Sequence, residues 1–166
     1  QNYRNQIGFV PQEVFLFSDT IRNNIAFGLQ TVEEKQIENA AKYASVYENI
    51  IDFEHKFETM LGERGITLSG GQKQRVSIAR ALIKEPKVLI FDDCLSAVDT
   101  KTEEEILVNL SKIMAGKTTI LIAHRISTIK NADKILVFDD GKIIEQGTHN
   151  QLLELNGAYS DMYQNQ

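Results

Sequence analysis

The chain has 166 residues, of which 42% are hydrophobic and 25% charged, as expected for one globular domain. Its net charge is −5, from 18 basic and 23 acidic residues, and this argues against a general basic surface for nucleic acid. The single cysteine, Cys94, excludes an internal disulfide and fits a reducing compartment. No apolar run approaches the length that crosses a membrane.

Two capping boxes mark helices in the first half of the chain. After a short apolar strand at 7–10, the box at 31–34 predicts a helix that runs to about Ala44. The box at 69–72 opens a second helix, which ends before Pro86 because a residue that precedes proline disfavours helical geometry. One face of this second helix is apolar and comprises Val76, Ala79 and Ile83.

Beyond Pro86, short apolar strands alternate with helices. The predicted elements are strands at 88–91, 118–123 and 135–138, helices at 100–115 and near Ser127, a tight turn at 139–142 and a final helix capped at 148–151. Continuous apolar strands separated by helices favour a parallel sheet that is covered on both faces. Asp92, Asp93 and His124 follow the carboxyl ends of strands, which is where open α/β sheets bind ligands.

The most specific motif starts at Leu68, Ser69, Gly70, Gly71 and Gln72. Two glycines at a helix N-terminus leave backbone N–H groups bare, and the helix dipole favours an anion such as a phosphate there. Ser-Gly-Gly alone also fits a plain capped helix. Together with residues 73–82, however, the segment resembles the signature motif of ATP-binding cassette (ABC) proteins, and nearly the whole chain resembles the nucleotide-binding domain of an ABC exporter.

The resemblance implies an α/β fold with a partial P-loop NTPase (RecA-like) core, which contains a parallel sheet, and an ABC-specific α-helical subdomain. By this resemblance, residues 1–166 form a single, N-terminally truncated domain. The core sheet comes from 1–12 and 86–150, the helical subdomain with the signature from 13–85, and a C-terminal helix from 151–166.

The resemblance also implies roles for residues near the sheet. Asp92 corresponds to the Walker B carboxylate and Gln12 to the Q-loop glutamine, and both would bind Mg²⁺. Asp93 and His124 would be catalytic, His124 as the switch histidine that contacts the γ-phosphate. The D-loop comprises Ser96, Ala97, Val98 and Asp99. Asp99 also fits a plain helix N-cap.

The implied cofactors are ATP and Mg²⁺, and the implied partners are a second nucleotide-binding domain and a transmembrane domain. Gln12 and the pair Glu63 and Arg64 would contact the transmembrane domain, although the glycine-flanked pair also fits a surface turn. This assigns the chain to the cytoplasmic face of the plasma membrane, as part of a transporter. No nucleic-acid partner is expected.

One departure from the family pattern is the phosphate-binding loop. A Gly-x-x-x-x-Gly-Lys-Ser/Thr segment between strand and helix is missing from the 166 residues. Gly116-Lys117-Thr118 follows a predicted helix, so Gly116 is predicted to be a helix C-terminal glycine. We therefore expect a fragment that alone neither binds ATP tightly nor hydrolyses it. With part of the core missing, it should also expose an apolar sheet face and self-associate or be marginally stable.

A second departure is Asp93, where the family has glutamate. Aspartate is one methylene shorter and is a weaker general base or water-positioner at that distance. We expect one site of an asymmetric pair, whose intact signature completes the partner's active site. Two other classes stay open, a soluble ABC-type ATPase of translation or DNA repair and a non-catalytic interaction module. The coiled-coil repair type is disfavoured, because residues 13–68 lack sustained heptads.

Overall fold

The computed structural model describes residues 3–62 and 66–165, which belong to two compact units, Gln1–Ile122 and Ala123–Gln166. The strands are β1 (Ile7–Val10), β2 (Val88–Asp92), β3 (Thr118–Ile122), β4 (Ile135–Asp139) and β5 (Lys142–Gly147). The helices are α1 (Ile21–Ile25), α2 (Glu34–Tyr43), α3 (Tyr47–Ile51), α4 (Gly70–Leu82), α5 (Thr100–Met114), α6 (Ile126–Ile129), α7 (His149–Glu154) and α8 (Ala158–Gln164), with short 3-10 turns at Tyr3–Gln6 and Lys56–Glu58. None of the helices in these described ranges is long and apolar enough to cross a membrane.

The first unit contains the predicted parallel sheet, with strand order β1-β2-β3. Ile7 pairs with Val88, and Val88 pairs with Thr118, so the three strands start level with one another. Their carboxyl ends therefore lie at one edge of the sheet. This confirms the strands that were predicted at 7–10, 88–91 and 118–123.

One face of this sheet is covered by helices, since Val10, Leu89 and Phe91 are buried. Gly8, on the same face, shows how closely α4 approaches β1. A Cβ atom there would lie 2.8 Å from Pro86 Cγ, closer than real Cβ contacts, and 3.0 Å from the carbonyl oxygen of Ala81 in α4, tighter than most of them. Glycine at this position therefore lets α4, which carries the signature residues at its start, pack directly on the sheet.

The opposite face is left open by the described residues of the first unit, which confirms the expectation of an exposed apolar sheet face and departs from the general pattern of a parallel sheet covered on both faces. We call it the apolar sheet face, and its exposed members are Ile7, Phe9, Ile120 and Ile122, with 38 to 52% of each residue accessible to solvent. The strand sequences are apolar on both faces, and a single sequence does not say which segment covers each face.

The second unit contains a two-stranded antiparallel sheet of β4 and β5. Asp140 and Gly141 both have positive φ, 45° and 73°, as the type I′ hairpin turn requires, and this confirms the turn predicted at 139–142. The strand predicted at 135–138 as a further parallel strand pairs only with β5 among the described residues.

Two helix boundaries differ from the prediction. Helix α2 begins after Glu33, whose N–H donates to the Gln36 side chain at 2.9 Å, so the capping box predicted at 31–34 is wrong. The C-terminal segment has two short helices, because Asn156 takes a positive φ of 48° between α7 and α8. The predicted C-terminal ends of α4 and α5 agree with the structure. Glu85, with φ 47°, follows the end of α4, and Gly116, with φ 76°, follows α5. These two residues confirm the proline stop and the C-terminal glycine.

The apolar sheet face carries a prediction about the 166-residue chain expressed alone. We expect it to self-associate, because a contiguous apolar surface beside an open strand edge favours pairing with another copy. Multi-angle light scattering measures this directly. Phe9→Lys should shift the population toward monomer. Phe15→Lys, which changes an even more exposed aromatic outside this face, should not. A wild-type chain that is monodisperse and monomeric would contradict the expectation.

Candidate functional site

The start of α4 has the geometry of an anion-binding helix end. Ser69 Oγ accepts from the N–H of Gln72 at 3.2 Å, and the Gln72 side chain accepts from the Ser69 N–H at 2.9 Å, which confirms the predicted capping box. Ser69 and Gly70 are exposed, and the first turn of α4 contains no acidic residue. The helix dipole is therefore left unneutralised at a surface that a phosphate can reach.

The two glycines of the signature also pack against the D-loop of the same chain. A Cβ on Gly71 would lie 3.2 Å from the carbonyl oxygen of Ala97 and 3.8 Å from Val98 Cα. A Cβ on Gly70 would lie 3.7 Å from Ala97 Cβ, an ordinary van der Waals distance. A side chain at Gly71 would therefore crowd the D-loop, whereas Gly70 has room for one. The sequence motif did not predict this contact.

The D-loop is a turn that ends in a helix cap. Asp99 accepts from the N–H of Thr102 at 3.0 Å, and this hydrogen bond lowers the pKa of the Asp99 carboxyl group. Ser96 Oγ donates to the carbonyl oxygen of Asp93 at 2.9 Å. The N-cap interpretation of Asp99 is confirmed, and the loop is tied to the end of β2. The role of the D-loop between paired domains stays a prediction.

The carboxyl end of β2 brings the predicted polar residues of the first unit together. Asp92 and Asp93 are half-buried, and Gln12, two residues after β1, donates from Nε2 to Asp93 Oδ2 at 3.2 Å. The Asp93 N–H donates to the carbonyl oxygen of Ile122, the last residue of β3, at 2.8 Å. Three neighbouring strands therefore position this cluster through backbone hydrogen bonds and strand register.

Asp93 has an unusual backbone conformation, with φ of 42°. This left-handed region disfavours most L-residues, and aspartate is among the few that tolerate it. Substitution at Asp93 therefore changes both the carboxylate reach and the local strain.

The donor set at this edge suits a magnesium ion. Asp92, Asp93 and the amide oxygen of Gln12 are oxygen ligands, which Mg²⁺ prefers together with waters and substrate phosphates. Within residues 3–62 and 66–165 no group of three or more His, Cys, Asp or Glu side chains forms a metal centre. The residues therefore fit an ion held mainly by water and phosphate oxygens, with few protein ligands.

Cys94 follows this cluster and is buried. Burial raises the pKa of its thiol to about 12, with a smaller contribution from the adjacent carboxylates. The thiol therefore remains protonated at neutral pH and is not a nucleophile. Cys94 packs in the core, where a small apolar side chain is needed.

The remaining predicted residues are not tested by this arrangement. His124 is exposed and lies in the second unit, just before α6. Glu63 and Arg64 lie outside the described residues. Gly62, which precedes them, has φ of 100° and lies against Ser18, so the backbone there suits glycine alone.

An open groove of about 260 Å³ lies beside the signature. Its lining residues are Val14, Phe15, Leu16, Leu61, Gly62, Ile66, Thr67, Leu68 and Lys73. The groove therefore lies between the segment that follows Gln12 and the segment that leads into α4. Its aromatic member, Phe15, is 67% exposed. We refer to residues 14–17 as the groove wall; residues 14–16 line the groove and Phe17 follows them directly.

Arg75 is a structural contributor that the sequence analysis missed. Its Nε donates to the carbonyl oxygen of Gly71 at 3.2 Å, and its Nη1 donates to the carbonyl oxygen of Ser45. Burial lowers the pKa of its guanidinium. Arg75 thus connects the first turn of α4 to the turn between α2 and α3. Its position four residues after Gly71 was the available signal, because that spacing lies on one helix face.

Comparisons with known proteins agree with this arrangement. The family profile described as ABC transporter matches residues 1–96. The chain is 52% identical over 161 residues, 96% of its length, to the ATP-dependent lipid A-core flippase of Alcanivorax borkumensis. It is 47% identical over 161 residues, 97% of its length, to ATP-binding cassette sub-family B member 6 of Homo sapiens.

A solved structure supports the same fold. The structure of a bacterial Atm1-family ABC exporter with ATP bound is 46% identical, with a TM-score of 0.93, and the match covers 98% of this chain. The chain spans 28% of the flippase, 19% of the human protein and 29% of the exporter chain. It is therefore comparable to one part of each relative.

Proposed function

The chain belongs to the ABC transporter family, and on that premise we propose that it is the nucleotide-binding motor domain of an exporter. In the full-length protein, ATP would be bound between this domain and a second nucleotide-binding domain. Hydrolysis would separate the two domains and drive transport through a transmembrane domain. The named relatives include a flippase and an exporter, and this favours an exporter over a soluble ATPase or a non-catalytic module.

The observation that carries the proposal is the exposed start of α4. Its N–H groups, its unneutralised dipole and its lack of acidic residues suit the terminal phosphate of a nucleotide. The phosphate-binding loop for that nucleotide would come from the partner domain. The signature of this chain would therefore complete the partner's site, while the cluster at the carboxyl end of β2 would serve this domain's own site.

The proposed roles in this domain's own site follow the chemistry of phosphoryl transfer, which depends on positioning and charge neutralisation. Asp92 and Gln12 would hold Mg²⁺, which neutralises charge on the phosphates. Asp93 would orient the attacking water, and its short side chain makes this the weaker site of an asymmetric pair. His124 would contact the γ-phosphate.

The groove is the proposed contact with the transmembrane domain. It is open, has apolar walls and lies between the Q-loop segment and the signature. An apolar helix tip from the transmembrane domain would fit against Phe15. Gln12, Glu63 and Arg64 are proposed to contribute polar contacts to the same domain. If this contact forms, the domain would lie at the cytoplasmic face of the membrane.

A structure of the full-length protein trapped with Mg-ATP and vanadate tests the proposed function. The expected result is a terminal phosphate or vanadate within about 3 Å of the N–H groups at the start of α4, supplied by the opposing domain. Soaking the same protein with Mg-ADP alone provides the control, in which that contact should be absent. A trapped assembly in which this helix end faces away from every anion would refute the proposal.

A further inference from the structure

Arg80 connects the signature helix to the groove wall. It lies near the C-terminal end of α4, and its guanidinium donates to three acceptors in other segments. Nε donates to the carbonyl oxygen of Asn24 at 2.7 Å, and Nη2 donates to Asn24 Oδ1 at 2.8 Å. Nη1 donates to the carbonyl oxygen of Phe15 at 2.9 Å. One side chain therefore links α4 to α1 and to the groove.

Asn24 extends this connection. It is fully buried, and its Oδ1 also accepts from the N–H of Phe17 at 2.8 Å. Its Nδ2 donates to the carbonyl oxygens of Phe17 and Thr20, both at 3.0 Å. The amide thus fixes the end of the groove wall and the start of α1. Because Arg80 bonds to the same amide oxygen, the groove wall and α4 share one hydrogen-bond network.

The surroundings of Arg80 indicate that it holds neighbouring segments in position. None of the ion pairs formed by described residues includes it, and burial lowers the pKa of its guanidinium. Its guanidinium carbon lies 5.6 Å from the Phe17 ring centre and 5.8 Å from that of Phe27. A half-buried cation without a carboxylate partner is a poor source of stability. The planar guanidinium, however, holds several acceptors in a fixed arrangement.

We propose that Arg80 is a positioning residue that makes the groove wall move together with α4. Contact in the groove then sets the orientation of Ser69 and Gly70 toward the nucleotide. Helix α4 is continuous from Gly70 to Leu82, so a displacement at Arg80 can be carried along it to Ser69 and Gly70. The proposal rests on the proposed function and identifies the path between its docking surface and its phosphate-binding end.

A double-mutant cycle in the full-length protein tests the proposal, with Mg-ATP hydrolysis as the readout. Phe15→Ala removes an exposed ring from the groove and keeps the carbonyl that Arg80 binds. It should lower kcat about tenfold, within the range of coupling between distant sites. Arg80→Lys keeps the charge but has a single nitrogen in place of the three that reach the separate acceptors, and it should lower kcat similarly. If the path runs through Arg80, adding Phe15→Ala to Arg80→Lys should lower kcat less than about twofold further.

Arg75→Lys provides a matched control on the same helix. Arg75 is also half-buried and also binds backbone carbonyls, but its bonds go to Gly71 and Ser45 and not to the groove wall. In the double variant with Phe15→Ala, the fold-reduction in kcat should equal the product of the two single reductions. KM for Mg-ATP should change less than about twofold in Arg80→Lys, because the contact of α4 with the nucleotide forms only when the two nucleotide-binding domains close. If the Arg80→Lys protein unfolds below the assay temperature, the same cycle is measured with Arg80→Gln, which removes the buried charge.

The outcomes separate this proposal from the proposed function. The proposal is overturned if the fold-reductions in kcat caused by Phe15→Ala and Arg80→Lys multiply in the double variant. It is also overturned if the fold-reductions caused by Phe15→Ala and Arg75→Lys fail to multiply, because that result would indicate general loosening of α4. If the wild-type full-length protein hydrolyses no Mg-ATP, or if Gly70→Asp leaves hydrolysis unchanged, the proposed function itself fails.

Discussion

Gly70→Asp in the full-length protein is expected to lower ATP hydrolysis by about 10²–10³-fold, the size of effect that follows from losing an oxyanion-binding group. The carboxylate would stand at the N-terminus of α4, where the proposed function has a phosphate, and would repel it. The same carboxylate interacts favourably with the helix dipole, worth about 0.3–1 kcal/mol. A Cβ at this position meets only Ala97 Cβ, at 3.7 Å, so the side chain fits.

The variant should therefore separate activity from stability. Hydrolysis assays should show the loss, whereas the melting temperature of the protein should stay within a few degrees of wild type or rise. Gly116→Asp is the matched control. It places the same charge at an open position with nothing within 4 Å of its Cβ, and aspartate tolerates the positive φ there. Equal hydrolysis by wild type and Gly70→Asp would remove the signature from the mechanism.

Asp93→Glu in the full-length protein is expected to raise ATP hydrolysis at this domain's own site, by up to about 10²-fold, the lower end of what a well-placed general base contributes, and so to raise the total turnover. Glutamate would extend the carboxylate by about one methylene toward the attacking water. The structure adds a cost, because φ at this residue is 42° and glutamate tolerates that conformation less well than aspartate. We expect a stability loss below about 1 kcal/mol.

Steady-state hydrolysis and a thermal melt of the same preparation measure both effects. Asp93→Asn is the control, because it keeps the shape and removes the charge. It should not raise hydrolysis, and it should keep a hydrogen-bonding partner for Gln12. An unchanged rate for Asp93→Glu would count against an asymmetric pair with a weak site. A rate that rises equally in both variants would show that carboxylate reach is not the cause.

The residues that depend on local chemistry could be predicted from the sequence. The Ser69 capping box was predicted correctly because a cap uses hydrogen bonds within four residues. The positive φ at Gly116 and Gly141 follows from chain neighbours in the same way. The box expected at 31–34 was wrong because Glu33 and Gln36 formed an equivalent interaction further along the chain.

The strands were predicted at nearly their observed bounds, and the parallel pairing of β1, β2 and β3 was predicted too, but the antiparallel pairing of β4 was not. Apolar runs such as Ile135–Asp139 fit a parallel or an antiparallel sheet equally well, and pairing with β5 followed from the tight turn at Asp140 and Gly141. An exposed apolar sheet face was expected because part of the core is missing, but the strand pattern did not say which face it would be. Coverage depends on which segments pack together, and periodicity carries no information about that.

The sequence by itself determined the motifs, because their residues act through short-range geometry at one helix start and at two strand ends. Only the tertiary structure decided that Gly71 contacts Ala97, that Gln12 bonds to Asp93, and that Arg80 reaches Phe15. These contacts join residues 26 to 81 positions apart in the chain. No local rule specifies them, since they arise when α4 packs against β1 and α1 and the register of the sheet is set.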